Sequence, residues 1–229
     1  MIDIANNYAR IRAQVSEIAH RCGRRPEKIT IVCAAKTKGP DAVRAALSAG
    51  ATDIGENYVQ EAREKLALVP EPARWHLIGH LQRNKAKDAV RLFTLIHSLD
   101  NVALAQELHR HGQKLGVIVR VLIEINLAGE ASKHGVAPDN LEQLLSALAP
   151  LSGLHVEGFM AIPPPGPDAE ASRPYFRTLA RLREQYASHR ADNIELQELS
   201  MGMTDDYQVA IEEGATIVRI GRAIFGERI

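Results

Sequence analysis

The chain is poor in the residues that would announce a special environment. Of 229 residues only two are cysteine, Cys22 and Cys33, and they form no CxxC pair. That excludes a disulfide framework and a Cys/His zinc module, so no metal is expected and a reducing cytoplasm is the default compartment. No charge of one sign is in excess: Lys plus Arg and Asp plus Glu number 28 each. No global field therefore favours nucleic acid or an anionic membrane. No window is long and apolar enough to span a bilayer. The start, Met1-Ile2-Asp3-Ile4-Ala5-Asn6-Asn7, lacks the basic residues and apolar run of a secretory signal. Proline clusters once, in Ile162-Pro163-Pro164-Pro165-Gly166-Pro167, which is too short for a domain linker and reads as a stiff loop.

What is present is ordinary in bulk and regular in order. Hydrophobic residues make up 45% and charged residues 24%, as in globular proteins that bury one large core. Residues 3–22 read as an amphipathic helix whose buried face is marked by Ile4, Ile11, Val15, Ile18 and Ala19. A strand–turn–helix grammar then repeats eight times. Strands are expected at 29–36, 52–55, 74–79, 92–97, 117–125, 155–160, 195–199 and 216–219. The matching helices are expected at 40–49, 56–67, 81–90, 101–114, 138–149, 168–188, 204–213 and from 222. Eight such units predict an α/β fold of one domain over 1–229, a single (β/α)8 TIM-type barrel with an extra N-terminal helix. The alternative is an open doubly wound sheet. Its first turn usually carries a glycine-rich dinucleotide fingerprint, whereas this one is Lys36-Thr37-Lys38-Gly39.

In a barrel, function gathers at the carboxyl ends of the strands. The unusual polar residues fall there: Lys36, Glu56, Asn57, His80, Ser98, Asp100, Asn126, Ser200 and Arg219, with Met160 and Gly221 among them. Loops after strands seven and eight are the recurrent phosphate site of this fold. Ser200 and Thr204 offer hydroxyls, Gly202 permits close backbone approach, and Gly221-Arg222 presents N–H groups at a helix start. The competing reading is that Thr204-Asp205-Asp206 only caps a helix. Lys36 ends a buried strand beside small residues. Its amine either pairs with an acid or, made neutral by desolvation and by Lys38 and Arg219, does Schiff-base chemistry with an aldehyde cofactor. Arg219 either pairs with Glu212 or Glu213 or faces a pyridine nitrogen and keeps it unprotonated.

Six segments carry a resemblance: Ala35-Lys36-Thr37-Lys38, Gly55 to Glu61, Trp75 to Lys85, Phe159-Met160-Ala161-Ile162, Leu199 to Asp206, and Arg219 to Gly226. Together they resemble the pyridoxal-phosphate homeostasis protein family (YggS/PROSC type), which is related to the barrel domain of alanine racemase. The resemblance implies pyridoxal 5'-phosphate (PLP) as cofactor, bound as an internal aldimine on Lys36. It also implies that Ser200, Thr204 and the Gly221 and Arg222 amides hold phosphate and that Arg219 faces the ring nitrogen. Asn57, His80 and Met160 would line the ring. Thr204 stands where the family often has Ser, Arg222 replaces a small hydroxyl residue, and Gly39 precedes Pro40.

Alanine racemases supply a second base, a tyrosine, from another domain across a dimer. The chain ends at Ile229 with no room for such a domain, and nothing in the sequence places Tyr58 or Tyr207 opposite Lys36. The expectation is a monomer that holds and buffers PLP, with PLP-dependent apoenzymes as candidate partners, without strong catalysis. A weak PLP-dependent racemase or lyase, or an aldolase-type lysine acting on another phosphorylated substrate, are the alternatives.

Overall fold

The computed structural model describes residues 2–130, 134–188 and 191–227. Eight parallel strands close into a barrel in sequence order: β1 (Thr30–Ala34), β2 (Asp53–Glu56), β3 (Arg74–Leu77), β4 (Leu95–Leu99), β5 (Val119–Glu124), β6 (Leu154–Met160), β7 (Ile194–Ser200) and β8 (Ile217–Ile220). The barrel closes through β1 and β8, with Val32 opposite Arg219. Around it run α1 (Ile4–Arg21), α2 (Pro40–Ser48), α3 (Val59–Leu68), α4 (Ala86–Leu92), α5 (Val102–Leu115), α6 (Leu141–Leu148), α7 (Arg173–Gln185), α8 (Tyr207–Glu212) and α9 (Arg222–Phe225). No helix among the described residues is long and apolar enough to cross a membrane.

Strand parity divides the core. Ile31, Cys33 and Ala35 belong to the large layer between sheet and helices. Val32 and Ala34 join Ile78, Leu95, Leu122, Met160 and Ile217 in a separate group that plugs the barrel interior. Because side chains alternate along a strand, this parity carries Lys36 to the interior side at the top of β1. Ordered β structure stops at Ala34, two residues short of the expected end, and Lys36 sits in the turn that follows.

The N-terminal helix completes the ring where the last helices are short. Tyr8, Ile11, Val15, Ile18 and Ala19 are buried, and Ile4 is partly buried against the core. Asn7 Nδ2 donates to Ile224 O at 3.1 Å, and Tyr207 Oη donates to Gln14 Oε1 at 2.9 Å. The expected helix at 204–213 is shorter than its pattern, because Asp206 accepts from the Met203 amide at 2.7 Å and from Ser172 at 2.8 Å. Those bonds hold 203–206 as a loop on the mouth.

Candidate functional site

At the carboxyl ends of β1, β2 and β8 lies a cavity of about 470 Å³. Lys36 lines one side, Thr204, Gly221 and Arg222 the other, with Arg219 and Asn57 between. The turn that carries Lys36 is held from α3. Lys65 Nζ donates to Ala35 O at 2.8 Å and to Glu56 Oε1 at 2.7 Å, and Glu61 Oε2 accepts the Thr37 amide at 3.1 Å. Thr37 has φ of 64°, a left-handed conformation that a β-branched residue adopts only under constraint. The turn is therefore fixed by its neighbours. Burial pushes the Glu56 carboxyl up to about 7 against the pull of Lys65.

The opposite wall joins the β7–α8 and β8–α9 loops. Thr204 Oγ1 accepts the Ala223 amide at 3.3 Å, tying the first loop to the start of α9. At Gly221 an added Cβ would lie 3.3 Å from Ala34 O, so the end of β8 is pressed close to the end of β1. The Arg222 side chain reaches along the cavity wall to Asp205, with Glu227 at 3.5 Å. It thus neutralises two acids that line the same cavity.

Arg219 is 3% exposed and begins a buried relay. Its Nη2 donates to Ala161 O at 3.0 Å and its Nη1 to Ser200 Oγ at 2.6 Å. Ser200 Oγ lies 2.9 Å from His97 Nδ1, His97 Nε2 lies 2.9 Å from His76 Nδ1, and His76 Nε2 lies 2.9 Å from Asp53 Oδ1. Arg74 grips both oxygens of Asp53, Nε at 2.7 Å and Nη2 at 2.6 Å. With one proton on each imidazole the Asp53 end sets the direction, because a carboxylate only accepts. His76 Nε2–H then donates to Asp53, His97 Nε2–H to His76, Ser200 to His97 and Arg219 to Ser200. Both rings are on that count Nε2–H tautomers, assigned from their partners.

Burial pushes His97 well below its ordinary value, and the Arg219 charge adds to it. Burial also opposes the ionisation of Asp53, but the bonds from His76, Arg74 and Thr52 outweigh it and hold the carboxyl below the usual range. Arg219 is drawn down by burial to about 10, countered by Glu124 and Asp206, and keeps its proton at neutral pH.

Several expected residues lie elsewhere. Ser200 is fully buried and off the cavity wall, so its hydroxyl serves the relay and does not face the mouth. Met160 belongs to the apolar plug beneath the cavity. His80 stands outside the pocket, stacked on His134. Gly202, with φ of 90°, makes its close approach to α8: a Cβ there would meet Ala210 Cβ at 2.5 Å. Glu212 and Glu213 are held by Arg173, Arg21 and Arg177, which removes them as partners for Arg219. Among residues the sequence reading passed over, Ile78, Ile162 and Met203 line the cavity, and Asp53, His76 and His97 form the relay. His76 and His97 were detectable as polar residues inside strands otherwise apolar, but nothing in the sequence said that they face each other.

The family described as "Alanine racemase, N-terminal domain" matches residues 7–229. A "Pyridoxal phosphate homeostasis protein" of Aquifex aeolicus is 42% identical over 228 residues, covering 99% of each chain. A protein of the same name from Escherichia coli strain K12 is 39% identical over 232 residues, covering 100% of this chain and 98% of that one. The solved structure of PipY from Synechococcus elongatus with PLP bound is 34% identical, with a TM-score of 0.87 over 97% of this chain and 100% of that one.

Proposed function

Since the chain belongs to the pyridoxal phosphate homeostasis protein family, we propose that it is a cytoplasmic PLP-holding protein, with Lys36 as its covalent anchor. The observation that carries the reading is the cavity of about 470 Å³ with a primary amine on one wall and Thr204, Gly221 and Arg222 on the other. Its size suits one small cofactor, and its donors match three parts of PLP. The aldehyde calls for an amine, the phosphate for hydroxyl and N–H donors at a helix start, and the ring nitrogen for a fixed partner.

PLP when bound supplies an aldehyde and an electron-accepting ring. The protein side is set by its own residues. Lys65 and Glu61 hold the turn that aims Lys36. Arg222 offsets Asp205 and Glu227, which would otherwise repel a phosphate dianion. Arg219 keeps its proton and would face the ring nitrogen as a donor, which would leave that nitrogen unprotonated and make the ring a weaker electron sink. A carboxylate partner would do the reverse.

This favours holding over turnover. The two tyrosines weighed as a second base support the same side: Tyr58 is exposed on the N-terminal end of α3, and Tyr207 is buried with its hydroxyl on Gln14. The protein acts as a monomer and releases PLP to apoenzymes that need it.

The test is spectroscopic. Adding PLP to the protein should give an absorbance band distinct from free PLP, and borohydride should fix one pyridoxyl mass on Lys36. Lys36→Ala should lose both. A band and adduct that survive in Lys36→Ala would remove the anchor. Exchange of the Cα proton of an amino acid in deuterated water at catalytic rates would replace the holding role with an enzymatic one.

A further inference from the structure

We propose a transition-metal site on the rim of the barrel mouth, formed by His80, Asp100 and His134. The three come from the loops after β3, β4 and β5, so only closure of the barrel brings them together. Their ligand atoms all lie within 4.8 Å of one another. Two imidazoles and one carboxylate are the donor set of zinc and its neighbours, not of magnesium or calcium, which take oxygen ligands. The sequence carried no zinc spacing to suggest it, because the ligands are not paired along the chain.

The distances favour an ion over a direct contact. His80 Nδ1 stands 3.7 Å from Asp100 Oδ2, too far for a hydrogen bond. Bonds of about 2.0–2.1 Å to one tetrahedral zinc put neighbouring ligand atoms about 3.4 Å apart. The other carboxylate oxygen is already engaged: Asp100 Oδ1 accepts from Asn101 Nδ2 at 2.6 Å. That bond orients Asp100 and leaves Oδ2 for a ligand, the outer-shell arrangement metal carboxylates use.

The imidazoles support the same reading. The rings of His80 and His134 stack with centroids 3.6 Å apart and planes at 8°. That contact sets the two imidazoles side by side within reach of one ion. Burial lowers the His80 pKa, and His134 lowers it further against the pull of Asp100. In-plane lone pairs on parallel rings do not converge, so binding requires one ring to tilt. His80 and His134 are both exposed, which makes that motion cheap.

The site is independent of PLP and is tested on protein stripped of cofactor and carrying no histidine tag. Titration with Co²⁺ should saturate at one ion per chain with a visible ligand-field band, and Zn²⁺ but not Mg²⁺ should displace it. Asp100→Asn and His134→Gln should each weaken binding at least about tenfold. In ring-nitrogen NMR of the parent protein, Zn²⁺ should move the His80 and His134 signals and leave those of buried His76 and His97 in place. This second readout needs no variant to fold. No saturable binding, unchanged affinity in both folded variants, or shifts confined to other histidines would each overturn the site. The absorbance band of bound PLP reports on the other reading separately.

Discussion

The Ser200 hydroxyl has one proton and two lone pairs, and the relay uses the proton on His97 and a lone pair on Arg219. Ser200→Ala would leave His97 Nδ1 and Arg219 Nη1 buried with a lost partner. Unsatisfied buried groups cost about 1–3 kcal/mol each, so urea denaturation should report a loss of about 1–3 kcal/mol or more. A hydroxyl that bound phosphate would instead lower PLP affinity and spare stability, so the two measurements separate the roles. The tautomers are checkable too. Ring-nitrogen NMR should find His76 and His97 protonated at Nε2 alone, and a protonated Nδ1 on either would break the deduced direction.

At the scale of elements, α3 positions the turn that carries Lys36. Glu56 is fully buried at the end of β2, and Lys65 on α3 bridges it to Ala35 O. Removing one partner of a buried pair costs about 3–5 kcal/mol, because a charge is stranded. Lys65→Met should therefore destabilise the fold by that order in chemical denaturation. Lys65→Met with Glu56→Gln should recover much of the loss, since no buried charge remains. If the double variant is no better than the single, the ion pair is not what the site depends on.

Across the whole molecule, buried titratable groups pull stability in opposite directions with pH. His97 has a folded pKa below its unfolded value, so its contribution is present above about 6.5 and fades as pH falls. Asp53 behaves alike at lower pH, losing its contribution as pH drops below about 4. Glu124 is raised to about 7 by burial and by Asp100, against Arg219. A carboxyl with a raised folded pKa loses stability as pH climbs from its unfolded value through 7. Glu124→Gln deletes that loss. Its stability relative to the parent should rise from pH 5 to pH 8, and a flat difference in thermal melts would show that Glu124 does not titrate in this window.

The same scale shows how far a sequence can be read. The barrel was legible because eight apolar, β-branched runs alternate with helical patterns and turn residues, a grammar that belongs to local chemistry. Lys36, Thr204, Gly221 and Arg222 were legible as residues of the mouth because each stands just past a strand end, and all four line the cavity there. Met160 and Ser200 also stand at strand ends, but the last residue of a strand points inward or outward by parity, and both point down into the barrel. His80 was misplaced because its loop carries it sideways onto His134.

By itself the sequence determined which segments are strands, which are helices and which lysine follows the first strand, because periodicity and breakers act over a few residues. Only the tertiary structure decided that Arg219, Ser200, His97, His76 and Asp53 form one directed chain from mouth to floor. It also decided that His80, Asp100 and His134 share one corner of the rim. Those groupings depend on the stagger with which the strands close the barrel, and stagger is a relation between residues up to 187 positions apart, as between Thr30 and Ile217, that no local pattern encodes.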